Sequence, residues 1–310
     1  MPVPVNRHDV LRAAETIRGR VHRTPVLSAA SLGSVVLKAE LFQKTGSFKV
    51  RGVLNKLASL TDEEKSLGVI GISAGNHAQA LAWGAAAEGI DALVVMYQGA
   101  SEAKVAATRA YGATVDLEAE DVGEAFERLH AYVAESGRVL VHPFDDPLVI
   151  AGQGTLALEL LEDAPGVETI LVSAGGGGLS SGIAAAAAGR VRVIVVEPEG
   201  STAVHSGLGA GRSVPVVPDS IADGLSAPFA GETALATLRA GGAESILVPE
   251  EAIGEAFRWL YSRPKLACEP AASTALAPLL TGQVEPKNVA VVVSGGNVSA
   301  KTASAILAGR

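Results

Sequence analysis

The sequence predicts an α/β protein whose sheet is mainly parallel, and two observations support this fold class. Short runs of apolar, β-branched residues alternate with alanine-rich segments of helical pattern, and glycine-rich joints connect them. This alternation is typical of parallel sheets, because each parallel strand needs a crossover helix before the next one. The predicted strands cover residues 35–38, 69–72, 92–96, 114–117, 139–141, 169–172, 191–196, 245–248 and 289–293.

Nine strands are many for one compact unit. The sequence has no repeat with a period of about 20 to 50 residues, no low-complexity tract and no long linker, so two domains would be interleaved along the chain. Two helix ends carry recognisable signals. Asn6 is placed to cap the first helix, and Ser101 is placed to cap a helix that Gly112 stops.

Composition excludes several classes of protein. The chain has 310 residues, of which 48% are hydrophobic, so it can bury a sizeable core. Its formal charge of -8 argues against nucleic acid or an anionic membrane as the main partner. The single cysteine, Cys268, excludes an internal disulfide and fits a reducing compartment, so we expect a cytoplasmic protein. No apolar run reaches the roughly 18 residues of a membrane-spanning helix.

The stretch FQKTGSFKVRG, residues 42–52, places two bases around a Thr-Gly-Ser turn. The second base, Lys49, lies where an apolar helix should begin. A helix N-terminus carries partial positive charge and disfavours a protonated amine. The position therefore suggests a lysine that acts as a neutral nucleophile, whereas nothing argues against ordinary solvation for Lys44.

Glycine-bearing joints follow four of the predicted strands or lie close to them. In open α/β sheets ligands collect at the carboxyl ends of strands, so we expect these loops to share one cleft. The joints are SAGNH at 73–77, SAGGGGLSSG at 173–182, SIADGLSAP at 220–228 and SGGN at 294–297.

The joint with four consecutive glycines is the most informative. Without Cβ atoms, successive backbone N–H groups can face an anion, and the following helix adds its dipole; a flexible turn is the alternative. The spacing matches neither a P-loop nor a dinucleotide fingerprint with its acidic residue, so a phosphorylated small cofactor is favoured. Together with a lysine that benefits from being uncharged, this cradle indicates pyridoxal phosphate, whose aldehyde forms a Schiff base with a lysine amine.

With these motifs the chain resembles the threonine and serine dehydratases of the tryptophan-synthase-like, fold type II pyridoxal phosphate enzymes. The matching motifs run in order from about residue 24 to residue 297: TGSFKVRG, SAGNHAQALA, KVAAT, VIAGQGT, GGGGLSSG, ADG and SGGN. The resemblance implies two open, mainly parallel twisted sheets with flanking helices, and the cofactor in the cleft between two domains. The large domain would comprise residues 1–52 and 148–310, and the small domain residues 53–147. A homodimer is also implied, because family members are usually dimers.

The resemblance implies cofactor-binding roles for individual residues. Lys49 would hold the cofactor and, once freed by the incoming amino acid, would remove the Cα proton. Phe48 would pack beside the pyridine ring, Asn76 would donate to its phenolic oxygen, and Ser294 would place a hydroxyl against its nitrogen. The phosphate would lie on Gly175, Gly176, Gly177, Gly178 and Leu179.

Substrate-binding roles follow in the same way. The loop SAGNH would hold the substrate carboxylate, and Gly224 of ADG would offer its backbone. His77 could instead be a helix-capping histidine. Asp223 and Glu269, the latter matching a family carboxylate near the ring, could each be structural. The loop residues are Ser73, Ala74, Gly75, Asn76 and His77.

The implied activity is that of a PLP-dependent ammonia-lyase that converts L-threonine or L-serine to 2-oxobutyrate or pyruvate and ammonia. A hydroxyl at Ser294 cannot keep the ring nitrogen protonated as a carboxylate could, so a long-lived carbanion is disfavoured and β-elimination is favoured. One alternative is another fold type II enzyme, such as a 3-hydroxyaspartate dehydratase, a β-replacing synthase or a serine racemase. A non-catalytic Rossmann-like binding protein is the alternative from a different class.

The chain departs from related enzymes at two positions. Serine racemases of this family carry a serine second in the loop that matches SAGNH, whereas this chain has Ala74, which has no proton to give. In related divalent-metal enzymes a glutamate is followed six residues later by an aspartate, whereas here Glu197 is followed by Ala203. One carboxylate makes a poor site for a hard cation, so we expect no metal.

Overall fold

The computed structural model describes residues 2–309 and confirms an α/β protein with two mainly parallel sheets. The strands are β1 (Val26–Ser28), β2 (Val35–Ala39), β3 (Val69–Ile72), β4 (Ala92–Tyr97), β5 (Thr114–Ala119), β6 (Val139–Leu140), β7 (Thr169–Ser173), β8 (Arg192–Pro198), β9 (Glu244–Val248) and β10 (Val289–Val293).

Helices flank these strands. The α-helices in the described part of the chain are α1 (Arg7–Thr16), α2 (Lys49–Leu57), α3 (Asp62–Leu67), α4 (Asn76–Ala87), α5 (Glu102–Ala110), α6 (Val122–Ser136), α7 (Pro147–Asp163), α8 (Gly178–Ala187), α9 (Ala203–Ala210), α10 (Glu232–Ala240), α11 (Glu250–Ser262), α12 (Pro270–Ser273), α13 (Ala277–Leu280) and α14 (Ala300–Leu307). Short 3-10 helices cover Ala30–Leu32, Glu40–Phe42, Lys44–Gly46, Asp223–Leu225 and Thr274–Leu276.

All nine predicted strands are present, and their ends differ from the prediction by at most two residues. The prediction missed β1, a three-residue strand that pairs antiparallel with β2. Asn6 caps α1 as expected, since its side chain accepts from the N–H groups of His8 and Asp9. The expectation for Ser101 was wrong in one respect. Ser101 occupies the N-cap position of α5, but its backbone carbonyl, not its side chain, accepts the first N–H groups.

The six-stranded sheet has the strand order β1-β2-β10-β7-β8-β9, and only β1 is antiparallel. Its central strand β10 is buried along its whole length. Side chains of a strand point alternately to the two faces, and accordingly Ala290 and Val292 join one hydrophobic core while Val291 and Val293 join the other. The sheet is therefore covered by helices on both faces, as parallel sheets require.

The four-stranded sheet is parallel throughout, with the order β5-β4-β3-β6. All its strands lie between residues 69 and 140, so the chain leaves the six-stranded sheet after β2 and returns to it at β7. Helix α2 contacts α7 on one side and α4 on the other. The predicted domain boundary at residue 52 falls inside α2, and the boundaries stay a prediction. No helix within residues 2–309 has both the length and the apolar character needed to cross a membrane.

Candidate active site

Loops from both sheets surround one cavity of about 530 Å³. The loops after β3, β7 and β10 contribute to its wall, as expected for the carboxyl ends of parallel strands. The structure brings all the predicted site residues together in this wall. They are Phe48, Lys49, Ser73, Ala74, Gly75, Asn76, His77, Gly175, Gly176, Gly177, Gly178, Leu179, Gly224 and Ser294.

Lys49 is the first residue of α2. The turn before it uses left-handed backbone at Thr45 (φ 60°) and Gly46 (φ 73°), which redirects the chain into the cleft. The Lys49 amine donates a hydrogen bond of 2.8 Å to the carbonyl of Pro143. Burial lowers the pKa of Lys49 from 10.5 to about 8, although the negative charge of Glu269 opposes this shift. The sequence argument invoked the helix N-terminus, but burial is the main cause.

The glycine loop, Gly175–Gly178, connects β7 to α8 and has no room for side chains. A Cβ at Gly176 would lie 2.3 Å from the ring of Phe144, and one at Gly175 would lie 2.9 Å from the carbonyl oxygen of Leu225. Gly177 has a φ of 89°, which favours glycine. No side chain caps α8, so its first N–H groups and its dipole are available to an anion.

The loop SAGNH leads into a second helix N-terminus. Helix α4 begins at Asn76, and no side chain caps it. The Asn76 amide donates 2.7 Å to Glu269 Oε1, and its carbonyl oxygen accepts 2.7 Å from the amide of Asn297. The same amide of Asn297 donates to the Thr45 carbonyl. Asn297, the last residue of SGGN, thus orients Asn76 and connects it to the turn before Lys49.

Two further titratable groups line the cavity. Burial raises the pKa of Glu269 to about 7, with the Asn76 hydrogen bond opposing the shift. Burial and, secondarily, the charge of Lys49 lower the pKa of His77 to about 3. His77 therefore remains neutral at physiological pH, and its Nε2 lies 2.8 Å from the carbonyl oxygen of Val141.

Ser294 follows β10 and is almost fully buried. Its backbone carbonyl accepts a hydrogen bond of 3.1 Å from the N–H of Phe48. This bond holds together Phe48 and Ser294, the two residues that the resemblance places beside a pyridine ring. Within residues 2–309, buried polar atoms without a hydrogen-bond partner include Ser173 Oγ and His77 Nδ1, and both residues line the cavity. Buried polar groups are usually paired, so a polar ligand fits this wall.

Sequence reasoning missed the segment after β6. His142 Nδ1 accepts the N–H groups of Phe144 and Asp145, and this turn presents the Pro143 carbonyl to Lys49 and the Phe144 ring to the glycine loop. Asp145 then accepts from the first N–H groups of α10. The only available signal was the position of HPFDD at the end of a predicted parallel strand.

Both carboxylate oxygens of Glu197 already accept backbone hydrogen bonds. Its two oxygens accept the N–H groups of Val204 at 2.8 Å and His205 at 2.6 Å, at the start of α9. Burial raises its pKa to about 8. In the described part of the chain no three His, Cys, Asp or Glu side chains are arranged to hold a metal ion. The expectation of no metal stays a prediction.

The residues present fit pyridoxal phosphate. A side-chain-free anion cradle, a buried lysine amine and a hydroxyl at Ser294 lie in one cavity, together with unpartnered polar atoms. Lys44, by contrast, lies 5.0 Å from the centre of the Trp83 ring and does not line the cavity.

Comparison with known proteins agrees with this fit. The family model described as "Pyridoxal-phosphate dependent enzyme" matches residues 17–295. The chain is 40% identical to the L-threonine ammonia-lyase of Thermotoga maritima over 304 residues, which are 95% of this chain and 76% of that protein. Among solved structures, maize serine racemase superposes with a TM-score of 0.91 at 34% identity, over 97% of this chain and 96% of its own. The T.th. threonine deaminase superposes with a TM-score of 0.89 at 39% identity, over 95% of this chain and 99% of its own.

Proposed function

Because the chain belongs to the pyridoxal-phosphate dependent enzyme family, we propose that it catalyses deaminating β-elimination from hydroxy amino acids. L-Threonine gives 2-oxobutyrate and ammonia, and L-serine gives pyruvate and ammonia. The hydroxyl leaves as water and another water hydrolyses the imine, so the reaction needs no oxidant or reductant. Pyridoxal 5'-phosphate, when bound, supplies the electron sink that stabilises negative charge at Cα.

The observation that carries this proposal is the Lys49 amine in the cavity wall. An amine accepts a proton only when it is neutral, and general bases work best when their pKa lies near the working pH. Burial lowers the pKa of Lys49 from 10.5 to about 8, so a much larger fraction of this amine is neutral near physiological pH than of an ordinary lysine. The Pro143 carbonyl holds Nζ in place at 2.8 Å. Lys49 can therefore remove the Cα proton of a substrate that lies beside it.

We assign the two helix N-termini to the two anions. The N–H groups of Gly175–Gly178 hold the cofactor phosphate, because Phe144 and Leu225 keep side chains out of that loop. The start of α4, with Ser73 and Asn76, holds the substrate carboxylate. Uncapped N–H groups and the helix dipole favour an anion at both places.

Ser294 and Phe48 orient the ring of the cofactor. A neutral hydroxyl from Ser294 can hydrogen-bond the ring nitrogen but cannot hold a proton there as a carboxylate would. Negative charge at Cα is then stabilised less, and departure of the β-hydroxyl is favoured over reprotonation.

Relatives also include proteins named serine racemase, but Ala74 argues for elimination in this chain. Racemisation needs a proton donor on the face of Cα opposite Lys49. Ala74 lines the cavity with a methyl group only. We therefore assign little racemisation to the wild-type protein.

We also propose that the protein is a cytoplasmic homodimer. Its single cysteine, Cys268, is buried and free, as in proteins of a reducing compartment. The dimer is carried over from the family resemblance. Sedimentation equilibrium should give twice the mass of one chain, and a monomer at working concentration would contradict the dimer.

The test of the function is a panel of L-hydroxy amino acids incubated with the purified protein and pyridoxal 5'-phosphate. We expect stoichiometric release of 2-oxo acid and ammonia from threonine and serine without any second nucleophile. A visible cofactor absorption band should be lost in Lys49→Ala. A requirement for a second nucleophile would indicate a β-replacing synthase, and release of no 2-oxo acid from any member of the panel would contradict the proposal.

A further inference from the structure

A 3-10 turn, Asp223–Leu225, forms one wall of the cavity. The carbonyl of Leu225 lies against Gly175 of the glycine loop, and a Cβ at Gly224 would lie 4.0 Å from Glu269 Oε1. The turn therefore stands between the proposed phosphate cradle and the buried carboxylate. With the phosphate assigned to the glycine loop and the substrate carboxylate to the start of α4, the substrate side chain would lie near this turn.

Lys104 reaches this turn from the opposite side of the cleft. It lies on α5, which packs against the strands and helices of the four-stranded sheet, whereas Asp223 follows α9 of the other sheet. Lys104 Nζ lies 2.5 Å from Asp223 Oδ2, and both residues line the cavity. The pair therefore spans the cleft and joins its two sides.

The cavity wall contains two basic and two acidic side chains. The charged side chains in that wall are Lys49, Lys104, Asp223 and Glu269. Lys104 is engaged by Asp223, and Glu269 accepts from Asn76. A substrate with a second carboxylate would meet the carboxylates of Asp223 and Glu269, while Lys104 is engaged by Asp223 and Lys49 is assigned to the chemistry at Cα. The uncapped N–H groups of α4 and of the glycine loop are assigned to the substrate's first carboxylate and to the phosphate. Much of the wall contributed by the four-stranded sheet and its helices is apolar, at Ile72, Val95, Met96, Val122, Ala125 and Phe126.

We propose that the Lys104–Asp223 pair determines specificity: it admits hydroxy amino acids with uncharged side chains and rejects those with a second carboxylate, such as 3-hydroxyaspartate. Discrimination by an unpaired or like charge is a common way to exclude a wrong ligand. Asp223 repels a second carboxylate on the substrate. It also pairs with Lys104, the cation with which that carboxylate could otherwise interact. This inference rests on the proposed β-elimination.

The test compares kcat/KM for 3-hydroxyaspartate with kcat/KM for threonine, expressed as a ratio. Asp223→Asn keeps the shape of the side chain, removes the repulsion and frees Lys104, so the ratio should rise about tenfold; part of the charge effect is screened, since Asp223 is largely exposed. Lys104→Met leaves Asp223 unpaired, so the ratio should fall below that of wild type. The double variant should lie between the two single variants.

A merely structural role for the pair would leave this ratio unmoved. Loss of a cross-cleft contact weakens turnover of both substrates alike and in the same direction for both single variants. Glu244→Gln is the matched control, because it removes one negative charge from an exposed pair with Arg192 outside the cavity. Its ratio should equal that of wild type.

An unchanged or lowered ratio in Asp223→Asn would overturn the proposal. So would a wild-type protein that prefers 3-hydroxyaspartate to threonine, which would leave β-elimination itself intact. Release of no 2-oxo acid from threonine, serine or 3-hydroxyaspartate would instead overturn the proposed function. Opposite shifts in the two single variants, with added salt reducing the gain of Asp223→Asn, would support the proposal.

Discussion

Two basic residues of α2, Lys49 and Arg51, have pKa values that are shifted in opposite directions. Arg51 is fully buried and bonds both oxygens of Glu40 at 2.8 Å and both oxygens of Glu159 at 2.7 and 2.9 Å. These carboxylates outweigh desolvation and raise its pKa. Lys49, two residues earlier, has only the Pro143 carbonyl, and burial lowers its pKa to about 8. The pKa of a buried basic residue therefore depends less on its position along the helix than on the groups with which it forms hydrogen bonds and ion pairs.

The Arg51 side forms a closed set of charges, which we call the ion cluster: Lys38, Glu40, Arg51 and Glu159. Lys38 is also fully buried and bonds Glu159 at 2.6 Å. The cluster links β2, α2 and α7 and carries equal numbers of cations and carboxylates. Removing one member of a buried pair leaves an uncompensated charge. The cluster therefore fixes the helix that carries Lys49, while Lys49 itself stays free for chemistry.

The largest effect is expected at Lys49. Lys49→Ala should remove the visible cofactor band and lower threonine turnover by at least about 10³-fold, because general-base catalysis alone is worth roughly 10²- to 10⁴-fold. Absorption spectra and 2-oxo acid release measure the two effects. Normal turnover with an intact band in this variant would sink the assignment.

The second effect concerns the ion cluster. Glu40→Gln should lower the free energy of unfolding by about 3 to 5 kcal/mol, because it leaves the buried Arg51 short of one carboxylate. Glu244→Gln, in a half-exposed pair with Arg192, should change it by no more than about 1 kcal/mol. Urea denaturation measures both. Equal effects in the two variants would show that burial does not distinguish these pairs.

The third effect is a dependence of stability on pH that arises from the lowered pKa of Lys49. In the unfolded chain Lys49 has its ordinary pKa of 10.5, so between about pH 8 and 10.5 the unfolded state binds more protons and apoprotein stability rises with pH. Lys49→Met carries no such proton. The variant should be more stable than wild-type apoprotein by up to about 3 kcal/mol below pH 8, and this gain should vanish by pH 10.5. A gain that is the same at both ends of this pH range would contradict burial of the charge.

A smaller effect is expected on the face of the substrate opposite Lys49. Ala74→Ser places a hydroxyl there with little added volume, so the variant should gain D-serine formation while retaining elimination. Positioned proton transfer is worth at least about 10²-fold, which chiral chromatography can detect. Abundant D-serine from the wild type would show that another acid already serves that face.

The fold was largely predictable because buried parallel strands are continuous apolar runs. Strands such as β10, whose residues Val289–Val293 are all buried, can be recognised without any knowledge of their neighbours. Strand β1 could not, since its three residues are half-buried or exposed and pair only with β2. Lys49 and the glycine loop were predictable for a local reason, because each depends on a turn and the helix that follows it.

The remaining site features depend on distant parts of the chain. The bond from Lys49 to Pro143 joins residues 94 positions apart, and the bond from Arg51 to Glu159 joins residues 108 positions apart. Phe144 closes the glycine loop from a segment that the local pattern gave no reason to place there. The partner that each buried charge meets, and thus its pKa, follows from these tertiary contacts and could not be predicted from local pattern.

The most direct test of the contrast between Lys49 and Arg51 is a titration of the Lys49 amine in the apoprotein. Protein with isotope-labelled lysine would be followed by NMR from neutral to strongly alkaline pH, and the Lys49 signal would be assigned by its absence in Lys49→Met. The structure predicts a titration midpoint of about 8. A midpoint near 10.5, the ordinary value for lysine, would show that the amine is not poised as a neutral base and would contradict the account.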